Sequence, residues 1–257
     1  MKKKIIIISG DPNSINSEII YKSWKKINKS VKKNIYIISN YDLIKKQFNI
    51  LKFNIKIRKV KSIHDLSNNS DLKIINIDLD FKRPFNVSKK SASNFVIKSL
   101  NLGHKLALDK KNVLGLINCS INKELLNNKF VGVTEYFANK CKIKKNREVM
   151  LISNEKLAVC PITTHINISK ISGSINKQTI IEKIKLINSW FKRNNKIIPK
   201  IAVLGLNPHN SEFKKNSEEI KIILPAIIKL KKLGIKVKGP LVADTIFIKD
   251  YKNFNII

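Results

Sequence analysis

Apolar residues in this chain fall into short continuous runs separated by longer stretches with helical spacing. Lys4 to Ser9 is an isoleucine run and reads as a buried strand. Ile15 to Asn28 places Ile15, Ile19, Ile20, Trp24 and Ile27 on one helical face. Asn34 to Ser39 predicts a strand, Tyr41 to Leu51 a helix, and Leu72 to Ile77 another strand. Phe53 to Val60 alternates apolar and charged residues, the pattern of a half-exposed strand. Asn86 to Lys110 is a long helical region with Ser88 as its N-cap. Val113 to Asn118 predicts a buried strand, and Lys123 to Asn127 a short helix.

The second half repeats the style. Glu148 to Ser153 and Leu157 to Thr163 read as strands. Lys177 to Lys192 is a helix carrying Ile180, Ile181, Ile184, Ile187 and Trp190. Ile201 to Leu206 is a buried strand, and Ser217 to Leu233 a helix with Gly234 as its C-cap. A short strand starts at Ile235 to Val237. Such alternation predicts an α/β protein with a mostly parallel sheet. The polar stretch from Lys61 to Asp71 is expected to be a surface loop.

Composition narrows the class. The opening MKKKIIIISG has only four consecutive isoleucines before Gly10-Asp11-Pro12, so a first core strand fits better than a secretory signal. No run approaches the roughly 18 apolar residues of a membrane span. Three widely spaced cysteines, Cys119, Cys141 and Cys160, make neither a disulfide framework nor a thiolate zinc site. They favour a reducing, cytoplasmic setting. The formal net charge of +33 suggests polyanion binding, but only four of the 51 basic residues are Arg. The lysines are scattered, and Ile and Asn are abundant alongside them, as nucleotide-composition drift would produce. No specific nucleic-acid partner and no membrane partner are expected.

In open α/β sheets, ligands gather beyond the carboxyl ends of strands. His165 follows the strand ending at Thr163, and His209 follows the strand ending at Leu206. Imidazole is a common ligand for zinc and similar metals. Two histidines at equivalent strand ends suit one shared divalent cation, with Asp244 a third polar candidate. Spacing alone leaves open that each His merely caps its loop.

The wording around these residues adds a family resemblance. GLNPHNSE at Gly205 to Glu212, followed by EEIKIILPAI and LGIKVKGPLVADTIF, resembles the 4-hydroxythreonine-4-phosphate dehydrogenase family of vitamin B6 synthesis. SGDPNSINSEI, GLINCSINKELL, GVTEYFA and TTHINIS are similar to further segments of that family, so the likeness covers nearly the whole chain. It implies an isocitrate/isopropylmalate dehydrogenase-like fold: two α/β/α lobes with an active-site cleft between them. On that reading, residues 1–128 and 240–257 form the first lobe and 129–239 the second, which carries metal ligands and dimer contacts.

The resemblance also implies a chemistry. NAD takes hydride from a secondary alcohol of 4-phosphohydroxythreonine, and the β-keto acid loses carbon dioxide to give 3-amino-2-oxopropyl phosphate, on the route to pyridoxal 5'-phosphate. A divalent cation acts as a Lewis acid on the substrate oxygen. Zn, Mg, Mn and Co are not distinguished by sequence. His165 and His209 match two metal ligands, Thr134 a substrate-binding position, and Asp244 a segment lining the site. Lys123 is a candidate for the substrate phosphate or carboxylate, with a solvated surface lysine as the equal alternative. NAD-contacting residues are not identified. A homodimer with a shared active site is implied.

Departures accompany the likeness. The family's third metal-ligand His lies beyond Ile257, so the chain reads as C-terminally truncated, with its activity in question. A substrate-contacting His of the family is Val133 here, and opening-loop glycines are Ser14 and Asn16. Two alternatives therefore stand beside the main reading. One is a non-catalytic basic α/β protein that binds nucleic acid or acidic surfaces. The other is a related dehydrogenase for a different phosphorylated hydroxy acid.

Overall fold

The computed structural model describes residues 3–65, 71–126, 130–143, 148–248 and 250–257. The centre of the expected 61–71 loop falls outside them. The chain forms two compact units, Met1–Lys140 and Cys141–Ile257.

The first unit is built on five parallel strands: β1 (Lys4–Ile8), β2 (Ile35–Ser39), β3 (Ile57–Val60), β4 (Leu72–Asn76) and β5 (Val113–Asn118). Their order is β3-β4-β2-β1-β5. Helices α1 (Asn16–Lys26), α3 (Tyr41–Ile50) and α4 (Lys89–Ala107) supply the apolar faces, with a short α2 at Lys29–Lys32. One core joins Ile6, Ile8, Ile38 and Ile75 to Phe95, Val96 and Leu100 of α4. The other joins Ile35, Ile37 and Ile74 to Ile20, Trp24, Ile44 and Phe48 of α1 and α3. Strands covered on both faces are apolar at most positions, with Ser39 of β2 and Lys73 of β4 as buried polar exceptions, which is why their runs are nearly continuous rather than alternating. Ser88 caps α4 by accepting from the Ser91 N–H. Strand β5 differs from expectation. Its Leu114 is 68% exposed and Ile117 53% exposed; β5 is the edge of the described sheet, and its pairing with β1 skips Leu114 at a register irregularity. Helix α5 (Val133–Lys140), not foreseen, closes this unit.

A buried charge sits under β2. Lys73 on β4 is fully buried, donates to the Lys33 carbonyl and lies 4.4 Å above the Tyr36 ring. Burial, aided by neighbouring Lys4, lowers its pKa from 10.5 to about 8. The unfolded chain therefore binds this proton more tightly than the folded one. The cost is full below about pH 8 and fades as pH rises toward 10.5. Lys73→Met is expected to stabilise the first unit by about 1–3 kcal/mol at pH 7, since an apolar replacement removes the desolvation penalty. Urea unfolding at pH 7 and pH 10 should show that gain shrinking at the higher pH. An equal gain at both would contradict the assignment.

The second unit contains a hairpin, β6 (Ile152–Ser153) and β7 (Ala158–Val159), and a parallel pair, β8 (Ile201–Leu204) and β9 (Val237–Leu241). The chain end joins them. Ile257 donates to the Ala158 carbonyl and accepts from the Cys160 N–H, the pattern of parallel pairing. On its other side Ile256 pairs in parallel with Ile201. Segments 158–160, 255–257, 201–204 and 237–241 thus run in one direction. Residues 240–257 accordingly pack within the Cys141–Ile257 unit.

Helix α7 (Lys177–Asn194) and helix α8 (Leu224–Lys232), which continues from a π-helical turn at Glu219–Ile223, cover this sheet. Ile180, Ile184, Ile187, Ile227 and Leu230 form the core. At the end of α7, Phe191 is buried and Trp190 is half-exposed, the reverse of the face assigned by spacing. Gly234 closes α8 with φ +72, as its C-cap reading required. Short helices α6 (Ile171–Ser174) and α9 (Ala243–Ile246) complete the unit.

Candidate metal and substrate site

Because β7, β8 and β9 are parallel, the segments that leave their carboxyl ends emerge at the same edge of the sheet. His165 follows β7, His209 follows β8, and Asp244 lies in α9 just after β9. The helix bearing Asp244 packs directly on the turn bearing His209. All three side chains are exposed.

Neither imidazole makes a hydrogen bond among the described residues, so their ring nitrogens remain open to an incoming cation. That arrangement fits two ligands of a divalent ion chemically. Among the described residues, no third His, Cys, Asp or Glu joins them in a cluster. Lys123 and Thr134 lie in the first unit. Lys123 opens a 3-10 turn (Lys123–Leu126), and Thr134 sits exposed in the first turn of α5. Val133 beside it packs half-buried against the apolar core.

The His209 turn is backbone of an uncommon kind. Residues His209 to Phe213 all have φ between +49 and +55. Four of them, His209 to Glu212, form a left-handed turn with ψ between +24 and +34. L-residues pay roughly 1–2 kcal/mol each for that conformation. His165 also has a positive φ, +56. Both candidate ligands are therefore held in strained backbone, a state that persists only where surrounding contacts over-determine it.

Those contacts are visible. Asn210 is 2% exposed, and its Nδ2 donates to the Pro240 carbonyl of β9 at 3.2 Å. Its Oδ1 lies over Gly205 so closely that a Cβ there would clash. Glu219 is fully buried. Its Oε1 accepts from the backbone N–H of Leu206 at 2.8 Å and of Asn207 at 2.9 Å, and the Asn207 amide also reaches both of its oxygens. Burial pushes this carboxyl up, but the N–H donors from Asn207, Leu206 and its own backbone prevail and hold it below the usual range. Glu218 is likewise lowered, chiefly by the Ser172 hydroxyl.

Asn207, Asn210, Glu218 and Glu219 were not foreseen as site residues. Only contacts distant in sequence identify the two carboxylates: Glu218 with Ser172 and Asn207, Glu219 with Leu206 and Asn207. Ser211→Gly is expected to stabilise this unit by about 1 kcal/mol, because glycine enters the left-handed region without penalty. A denaturation midpoint unchanged from wild type would show that the strain is not stored at residue 211.

Comparison with known proteins defines the class first. A crystal structure of 4-hydroxythreonine-4-phosphate dehydrogenase from Klebsiella pneumoniae superposes with a TM-score of 0.86 at 25% identity, covering 99% of this chain and 80% of that one. The fold is the isocitrate/isopropylmalate dehydrogenase-like α/β type. Residues 30–257 match the family described as Pyridoxal phosphate biosynthetic protein PdxA, and the chain belongs to that family. A 4-hydroxythreonine-4-phosphate dehydrogenase from Sulfurihydrogenibium sp. is 37% identical over 98% of this chain and 78% of its own length. A Fusobacterium nucleatum relative, 27% identical over 96% of this chain and 75% of its own, is named for D-threonate 4-phosphate instead.

Proposed function

We propose that this chain is an NAD-dependent 4-hydroxythreonine-4-phosphate dehydrogenase of pyridoxal phosphate biosynthesis. The observation that carries the reading is the pair of unengaged imidazoles, His165 and His209, at the carboxyl ends of parallel segments in a chain of this family. The residues divide the work. His165 and His209 hold a divalent cation. When bound, that ion supplies Lewis acidity to the substrate hydroxyl and to the ketone formed from it. NAD, when bound, would serve as the hydride acceptor, with the hydroxyl proton released to solvent, and the β-keto acid so formed would be prone to lose carbon dioxide. Asp244 orients a substrate hydroxyl or a ligand from its place beside the His209 turn. Thr134 binds substrate, and Lys123 meets its phosphate or carboxylate. Val133 offers no hydrogen-bond donor from its side chain, so recognition of the phosphorylated end falls on the other residues. A homodimer and a cytoplasmic setting complete the proposal. Among the described residues no helix is long and apolar enough to cross a membrane.

The test is an assay of the purified chain with 4-phosphohydroxythreonine, NAD and Co2+, Mn2+, Zn2+ or Mg2+ in turn. The expected result is NADH formation with carbon dioxide release, abolished by a chelator and restored by the ion. NADH formed from D-threonate 4-phosphate but not from 4-phosphohydroxythreonine would overturn the substrate. No NADH from either, with a family relative active in the same assay, would overturn the activity.

A further inference from the structure

The carboxylate Glu218 has two partners on two different segments. Its Oε1 accepts from the Ser172 hydroxyl at 2.7 Å, and its Oε2 accepts from the Asn207 side-chain amide at 2.9 Å. Ser172 lies in α6, seven residues after His165. Asn207 lies two residues before His209. One side chain thus ties the His165 segment to the His209 segment. Its neighbour Glu219, fully buried, holds the two backbone N–H groups through which β8 enters the His209 turn. Consecutive residues of an ordinary α-helix point about 100° apart. Here Glu219 opens a π-helical turn, Glu219–Ile223, with Glu218 immediately before it, and both carboxylates reach Asn207.

We propose that Glu218 and Glu219 are positioning residues for the two-histidine site. Glu219 fixes the entry of the strained His209 turn, and Glu218 sets the spacing between the two histidine-bearing segments. The proposal rests on the reading of His165 and His209 as cation ligands. The physical basis is that a two-imidazole site has affinity only where its ligands are held at one separation. Groups that orient ligands without touching the metal typically contribute 10–100-fold to affinity. A carboxylate is suited to this task because it accepts two hydrogen bonds at once, one on each oxygen.

The experiment uses the full chain and Co2+, read by calorimetry and by the visible absorption of the bound ion, with thermal unfolding measured in parallel. Glu218→Ala and Ser172→Ala are each expected to weaken Co2+ binding by about 10–100-fold with little change in the apo melting temperature. Ser172 is exposed and Glu218 only half-buried, so neither is needed to fill the core. Glu218→Gln is expected to recover most of the affinity. Its amide oxygen can still accept from Asn207 while its amide nitrogen donates to the Ser172 oxygen. A purely structural role predicts no such rescue pattern in affinity at constant stability. Glu219→Gln serves as a harsher variant, and if it does not fold the Glu218 and Ser172 variants still decide the matter. Co2+ binding abolished by His209→Ala but unchanged in Glu218→Ala and Ser172→Ala would overturn the positioning proposal alone. Absence of Co2+ binding in wild type, or binding that survives His209→Ala, would overturn the ligand reading and this proposal with it.

Discussion

His209→Ala and His165→Ala are each expected to lower kcat/KM for NADH formation by about 10³-fold, equivalent to roughly 4 kcal/mol of transition-state stabilisation. The size follows from the ligand set. This chain offers two imidazoles past the ends of β7 and β8, and no cluster of three candidate ligands exists among the described residues. Removing one of two leaves a single neutral ligand, which does not hold a divalent ion at ordinary concentrations. Residues that act as one unit are strongly non-additive, so the double variant should be little worse than either single. His64 is a fair control. It is exposed in the first unit, and His64→Ala should leave turnover unchanged. A His209→Ala chain with wild-type turnover and wild-type cation dependence would remove this residue from the chemistry.

How much of this was legible in sequence depends on what each residue touches. Parallel strands covered on both faces, such as β2 with all five residues buried, announce themselves as apolar runs. Helix caps announce themselves too, because Ser88 and Gly234 act on residues three or four positions away. Edge status does not. Val113 to Asn118 has the composition of a central strand, and nothing in it says that Leu114 and Ile117 lack cover.

The candidate site shows the same division. His165 and His209 were visible because chemistry-bearing residues after strand ends are few in this chain. What holds them was not visible. The left-handed turn from His209 to Phe213 contains no glycine, so the usual marker of positive φ is missing. Glu218 and Glu219 open the segment EEIKIILPAI, whose spacing gives a helix and no role for either carboxylate. Their role depends on pairing with Asn207 and Ser172, eleven and 46 residues away for Glu218. Contacts of that range leave no periodicity to read. The same holds for residues 255–257, whose pairing with both β7 and β8 places them in the second unit.

Gly239→Ala is expected to destabilise the second unit by about 3 kcal/mol or more, through backbone strain and a steric clash together. Gly239 has φ +147, a conformation that L side chains rarely adopt. A Cβ there would fall inside 3.0 Å of the Val203 carbonyl oxygen on β8, with Ile227 Cδ1 at 3.2 Å on the other side. The clash is with backbone, so no rotamer change relieves it. Relief requires β8 and β9 to separate, and those strands lead directly to His209 and Asp244. Loss of stability and loss of cation binding should therefore appear together in this variant. Gly115→Ala provides the contrast. Nothing lies within 4 Å of its Cβ position, so it should shift stability by no more than about 0.5 kcal/mol. If urea unfolding finds the two alanine variants equally stable, the close approach of β9 to Val203 is wrong, and the shared strand-end geometry of His209 and Asp244 loses its support.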